Sequence, residues 1–94
     1  MTRRCEFCSA SPSRIVLAND LAYTMFSHWP VSPYHLLIVP RRHVEHEKDL
    51  TAGEILSIFD VKNEVVELVG NKTGLKAYNF GVNVGREAGQ TVHH

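Results

Sequence analysis

The chain has 94 residues, with 10 basic and 10 acidic side chains, six histidines, 44% hydrophobic and 21% charged residues. That is one domain over residues 1–94, too apolar for intrinsic disorder, with a core thin enough that folds of this size often recruit a metal, a disulfide or a second subunit. A formal charge of zero supplies no field to draw nucleic acid or an anionic membrane, and no apolar run approaches the roughly 20 residues a bilayer demands. Nucleic-acid and membrane partners are therefore excluded, and with no signal-peptide core after Met1 a cytoplasmic location is expected.

Taken in chain order, the first feature is Cys5-Glu6-Phe7-Cys8, which holds both cysteines. A disulfide at this spacing closes almost no loop, so in a reducing compartment the pair reads as half of a zinc site, as a redox motif or as two inert thiols. The redox reading asks for a leading strand, and nothing before Cys5 resembles one. The zinc reading asks for two further ligands, which must be histidines. Arg14-Ile15-Val16-Leu17 and Ala22-Tyr23-Thr24-Met25-Phe26 flank Asn19-Asp20 and predict a hairpin. Pro30 and Pro33 interrupt the chain before a third strand over residues 35–39, which should stop at Pro40. Its continuous apolar character predicts burial on both faces or cover by a helix.

Thr51-Ala52-Gly53-Glu54 has the form of a capping box, and a helix is predicted from it to about residue 69. Ile55, Ile58, Phe59, Val65, Val66, Leu68 and Val69 give that helix a broad apolar stripe, and Gly70-Asn71 supplies its stop. Residues 78–84 read as a fourth strand, and Thr91-Val92-His93-His94 as the opening of a fifth. Among the histidines, His28 and His46 read as ordinary polar residues. His43 follows a strand end where a metal or an anion can be held, and His35 sits in an apolar context that demands a hydrogen-bond partner. Between the last two strands, Gly85-Arg86-Glu87-Ala88-Gly89-Gln90-Thr91 can offer backbone N–H groups to a phosphate, although the same letters describe a plain hairpin connection.

The block Pro30-x-x-Pro33-x-His35-Leu36-Leu37-Ile38-Val39-Pro40-Arg41-Arg42-His43, the long helix, and Glu87-Ala88-Gly89-Gln90-Thr91-Val92-x-His94 resemble, in order and spacing, the histidine-triad (HIT) family of nucleotide hydrolases and transferases. The resemblance implies an α+β fold, with an antiparallel sheet of about five strands, the last cut short, packed by one long helix. It implies attack on the α-phosphate of a purine nucleotide (a phosphoramidate, a dinucleoside polyphosphate or an adenylate) by the middle histidine of a His-x-His-x-His motif, through a phosphohistidine intermediate. By the same resemblance, Asn83, Gln90 and Thr91 face phosphate and ribose beside Gly89, and Ser27 takes the place where relatives set a carboxylate or amide against the ribose. His35 supports the triad through hydrogen bonding. His94 falls on the first triad histidine, so the nucleophile lies beyond the end of the sequence. A chain truncated within the motif, and inactive as it stands, is therefore expected.

A subset of the family carries an N-terminal Cys-x-x-Cys, and here it implies a closed, structural Zn²⁺ site of Cys5, Cys8, His43 and His94. The family also implies a homodimer, which the breadth of the helix stripe supports. The rival expectation is a zinc-stabilised, non-catalytic module that binds nucleotide or protein.

Overall fold

Asn19 makes the first reversal of the chain. Its Oδ1 accepts the N–H groups of Leu21 at 3.1 Å and Ala22 at 2.9 Å, and its own N–H donates to the Ala22 carbonyl at 2.9 Å. This is an asparagine mimicking a backbone turn. It joins β1 (Ile15–Ala18) to β2 (Ala22–Phe26), as the hairpin pattern predicts. The structure is a computed structural model describing residues 5, 7–8, 10–26, 34–85, 87 and 90. In the ladder Ile15 faces Met25 but Leu17 faces Thr24, so Val16 is an extra residue and β1 carries a bulge.

On the other side of β2, β3 (Leu36–Pro40) runs antiparallel, with Ala22 opposite Pro40 and Phe26 opposite Leu36. The strand thus starts after His35 and takes in Pro40. Proline is tolerated there because, among the described residues, β3 is an outer strand in the order β1-β2-β3. Sequence predicted about five strands; the described residues form three. The fifth, at residues 91–94, lies outside the described residues.

The central strand is buried at Ala22, Tyr23, Thr24 and Met25 in succession, so the sheet is covered on both faces. On one face Tyr23, Met25 and Val39 form a cluster against which Phe7, Ala10, Ile15 and Leu37 pack. By strand alternation Ala22 and Thr24 point to the other face, where α1 (Ala52–Thr73) lies against all three strands. Small side chains there let the helix approach, and the buried Thr24 hydroxyl donates to the Leu37 carbonyl at 2.8 Å. Leu36, Leu37 and Ile38 are only half-buried, so the apolar run of β3 is less enclosed than its composition suggests.

The capping box of α1 is present in both halves. The Glu54 N–H donates to the Thr51 hydroxyl at 3.1 Å, and the Thr51 N–H donates to Glu54 Oε1 at 2.9 Å. The buried face is Glu54, Val61 and Val65, with Ile58 and Leu68 half-buried on the same side. Ile55 and Phe59, assigned to the stripe from sequence, are exposed, and Val61 takes the central place. Nor does the helix stop at Gly70-Asn71. It runs to Thr73 and ends at Gly74, whose φ of 77° is left-handed and whose N–H donates to the Gly70 carbonyl at 2.8 Å. The stop is set by the glycine that takes the positive φ, and Gly70 remains helical.

The fourth strand expected over residues 78–84 does not form. The alternation of Tyr78, Phe80, Val82 and Val84 is real, but a strand needs a ladder partner, and this segment has none among the described residues. It lies instead along the outer side of α1. The Phe80 ring meets Phe59 edge-on at 5.4 Å, and Lys62 Nζ stands 5.4–5.8 Å from the rings of Phe59, Tyr78 and Phe80. No helix among the described residues is long and apolar enough to cross a membrane.

Candidate functional site

Two segments converge just past the end of β3. The N-terminal arm supplies Cys5 and Cys8, and is pinned through Phe7: its side chain packs on the Tyr23–Met25–Val39 cluster and its carbonyl accepts the Tyr23 hydroxyl. Burial of that phenol, more than any neighbouring charge, pushes its pKa up to about 12, so it stays a donor. The chain leaving β3 supplies His43. Arg41 donates its N–H to the Leu21 carbonyl at 2.9 Å and its Nε to the Asn19 carbonyl at 3.0 Å, while Val44 is buried on the other side of His43.

Arg42 makes a forked pair with Glu54, Nε to Oε2 at 3.1 Å and Nη2 to Oε1 at 2.8 Å, and Nη2 also donates to the Asp49 carbonyl at 2.8 Å. The guanidinium, with the Thr51 N–H next, holds the Glu54 carboxyl down at about 2. The backbone on both sides of His43 is thereby fixed. Sequence reasoning read Glu54 only as half of a capping box and missed Arg42, Tyr23 and Asn19 as supports. Asn19 Nδ2 donates to the Ser57 carbonyl at 2.9 Å and so ties the hairpin to α1.

At the point of convergence Cys8 Sγ stands 3.4 Å from His43 Nδ1, and the ligand atoms of Cys5, Cys8 and His43 all lie within 4.8 Å of one another. Tetrahedral zinc, with Zn–S about 2.3 Å and Zn–N about 2.0–2.1 Å, sets its donors roughly 3.5–3.8 Å apart. The three atoms therefore need to close by at most about an ångström. Two thiols and an imidazole are also the borderline-soft donors zinc takes. The donor set fits the metal. Desolvation, then the neighbouring Cys5, pushes the Cys8 thiol pKa above its ordinary value, so a metal entering here must displace protons. The fourth expected ligand, His94, lies outside the described residues.

Of the residues assigned to a nucleotide, Ser27, Gly89 and Thr91 also lie outside the described residues. Asn83 is exposed on residues 75–84, and His35 is half-buried where β3 begins. Gln90 is half-buried and closes its loop: Oε1 accepts the Gly85 N–H at 2.7 Å, and the Gln90 N–H donates to the Gly85 carbonyl at 3.2 Å. Gly85, with φ of 87°, takes the left-handed turn this needs. Gln90 Nε2 donates to the Glu45 carbonyl at 3.0 Å, which docks the loop two residues beyond His43. The loop and the sulfur–imidazole cluster are thus neighbours along one stretch of chain.

Residues 9–94 match the family described as HIT domain. Among curated relatives, the chain is 32% identical over 82 residues to the asymmetrical bis(5'-nucleosyl)-tetraphosphatase of Schizosaccharomyces pombe, covering 87% of this chain and 45% of that protein. It is 30% identical over 82 residues to the bis(5'-adenosyl)-triphosphatase of Dictyostelium discoideum, covering 87% of this chain and 55% of that one. The chain thus spans about half the length of these relatives. The fold is similar to the crystal structure of the Plasmodium falciparum diadenosine triphosphate hydrolase in complex with cyclomarin A. There the TM-score is 0.83 at 26% identity, over 89% of this chain and 57% of that one.

Proposed function

This chain belongs to the HIT family, and on that premise we propose that it is a nucleotide-binding domain for hydrolysis at the α-phosphate of a dinucleoside polyphosphate or a related purine nucleotide. The observation that carries the reading is the match over residues 9–94, with two relatives named for hydrolysis of such compounds. In the reaction an imidazole attacks the α-phosphorus, a P–N bond forms as the P–O bond to the leaving group breaks, and water then cleaves the P–N bond. Asn83 and the loop of Gly85 to Gln90, with Ser27, Gly89 and Thr91, face the phosphate and ribose, and His35 supports the triad. Because both ends of the Gln90 amide are engaged, its part is to shape the loop whose N–H groups meet the phosphate. The nucleophile position falls two residues past His94.

Cys5, Cys8, His43 and His94 hold a structural zinc in this reading. His94 lies four residues after Gln90 in sequence, and Gln90 is anchored to the Glu45 carbonyl, two residues beyond His43. A zinc ion held by these residues would tie the N-terminal arm and the end of β3 to the C-terminal segment and would serve a structural role. The reduced thiols suit a cytoplasmic setting. The exposed apolar residues of α1 fit a homodimer.

Calorimetric titration with AMP and diadenosine triphosphate, paired with a turnover assay, tests the reading. Dissociation constants in the high micromolar to millimolar range and no turnover are expected of this polypeptide. Extending the 94 residues by a His-x-His segment should give hydrolysis. Binding of neither nucleotide would refute the nucleotide reading, and turnover by the 94 residues alone would refute the placing of His94. Binding without turnover in the extended chain would make the protein a non-catalytic module.

A further inference from the structure

Tyr23 is 3% exposed at the centre of β2, and it touches both halves of the candidate metal site. Its hydroxyl donates to the Phe7 carbonyl, inside the Cys5–Cys8 turn. Across the ladder it pairs with Val39, on the strand that delivers His43 four residues later. We propose that Tyr23 is a positioning residue for the metal: by fixing the Phe7 carbonyl it sets the rotation of the cysteine turn, so that both sulfurs face His43 before any ion arrives.

Phe7 packs against the cluster, but an apolar contact leaves the turn free to rotate about the ring, whereas a directed hydrogen bond does not. Cys8 follows directly after Phe7, and its Sγ stands 3.4 Å from His43 Nδ1. Removing one oxygen from Tyr23 keeps the buried ring and the ladder, and takes from the turn a directed hydrogen bond to the central strand. The loss therefore falls on metal affinity, in the manner of the outer hydrogen bonds that orient metal ligands.

The inference rests on the metal reading above, and the experiment separates the two. Zinc affinity of the full chain is measured under reducing conditions by competition with a chromophoric chelator, for the native chain, Tyr23→Phe and Met25→Leu, a volume-conserving change in the same core cluster. Cobalt spectra of all three report the ligand set. Tyr23→Phe should bind zinc about tenfold more weakly and release it faster, with both thiolate bands retained and the ligand-field bands shifted, while Met25→Leu stays within about twofold of native. If the native chain binds no zinc, the metal reading fails and this one falls with it. If the native chain binds and Tyr23→Phe binds equally well, only the positioning role is overturned. Equal weakening by Met25→Leu, or a Tyr23→Phe chain that does not fold in saturating zinc, would reduce Tyr23 to core packing and overturn the role as well.

Discussion

Arg42 engages three partners with one side chain: both oxygens of Glu54 and the Asp49 carbonyl. The ordinary value for the Glu54 carboxyl is 4.5, and the folded one is about 2, with the Arg42 hydrogen bonds the largest cause. A depressed carboxylate stabilises the fold above its unfolded pKa and loses that contribution as pH falls through the folded one. Glu54→Gln should therefore be less stable than the native chain at pH 6–7, and the gap should close between about pH 4.5 and pH 2, as read by denaturant midpoints across that range. A gap that stays constant down to pH 2 would show that the ion pair contributes nothing through its charge. The capping half of Glu54 was legible in the sequence, because Thr-x-x-Glu is local. Its pairing with Arg42, 12 residues away, was not, because it exists only once β3 and α1 have docked.

The helix separates positions that look alike in sequence. Val61 is buried and Leu56 is 66% exposed, so Val61→Ala should cost about 1.5–3 kcal/mol and Leu56→Ala no more than about 0.5 kcal/mol in chemical unfolding. The two glycines at its end should respond with opposite signs. Gly74→Ala forces an alanine to φ of 77° and should lose about 1 kcal/mol. Gly70→Ala sits in ordinary helix, with its new methyl carbon 3.4 Å from the Leu75 carbonyl oxygen, and should gain roughly 0.5–1 kcal/mol. The hairpin and the helix start were readable because turn and cap chemistry is local. The helix end was misread because two glycines competed for the role and only backbone conformation distinguishes them. The fourth strand was misread because alternation states a preference while pairing is decided by what lies alongside.

For the molecule as a whole, the candidate metal cluster was half legible: the cysteine spacing pointed to it, and resemblance supplied His43, which the fold brings to 3.4 Å from Cys8. Ser27, Gly89, Thr91 and His94 fall outside the described residues, so for them the sequence remains the only guide. Zinc at 1,000 times its dissociation constant contributes about 4 kcal/mol, so excess chelator should lower Tm by well over 10 °C. Cys8→Ser should already sit near the chelated value. Light scattering at micromolar concentration should report a dimer, with Phe59→Glu, on the 45% exposed flank of α1, shifting it to monomer.

The order β1-β2-β3-α1 also has a consequence in time. Among the described residues every ladder joins strands that are consecutive in sequence, and the Arg42–Glu54 latch closes over 12 residues, whereas Cys8 meets His43 across 35 and Gln90 meets Glu45 across 45. Loop-closure entropy rises with the logarithm of these separations, so the meander and its helix form first and the two long closures follow. A refolding experiment that follows tyrosine burial and zinc uptake together should see Tyr23 enter the core before the ion is captured. A zinc ion bound by the proposed ligands would then be a late seal on a sheet already assembled and not its nucleus.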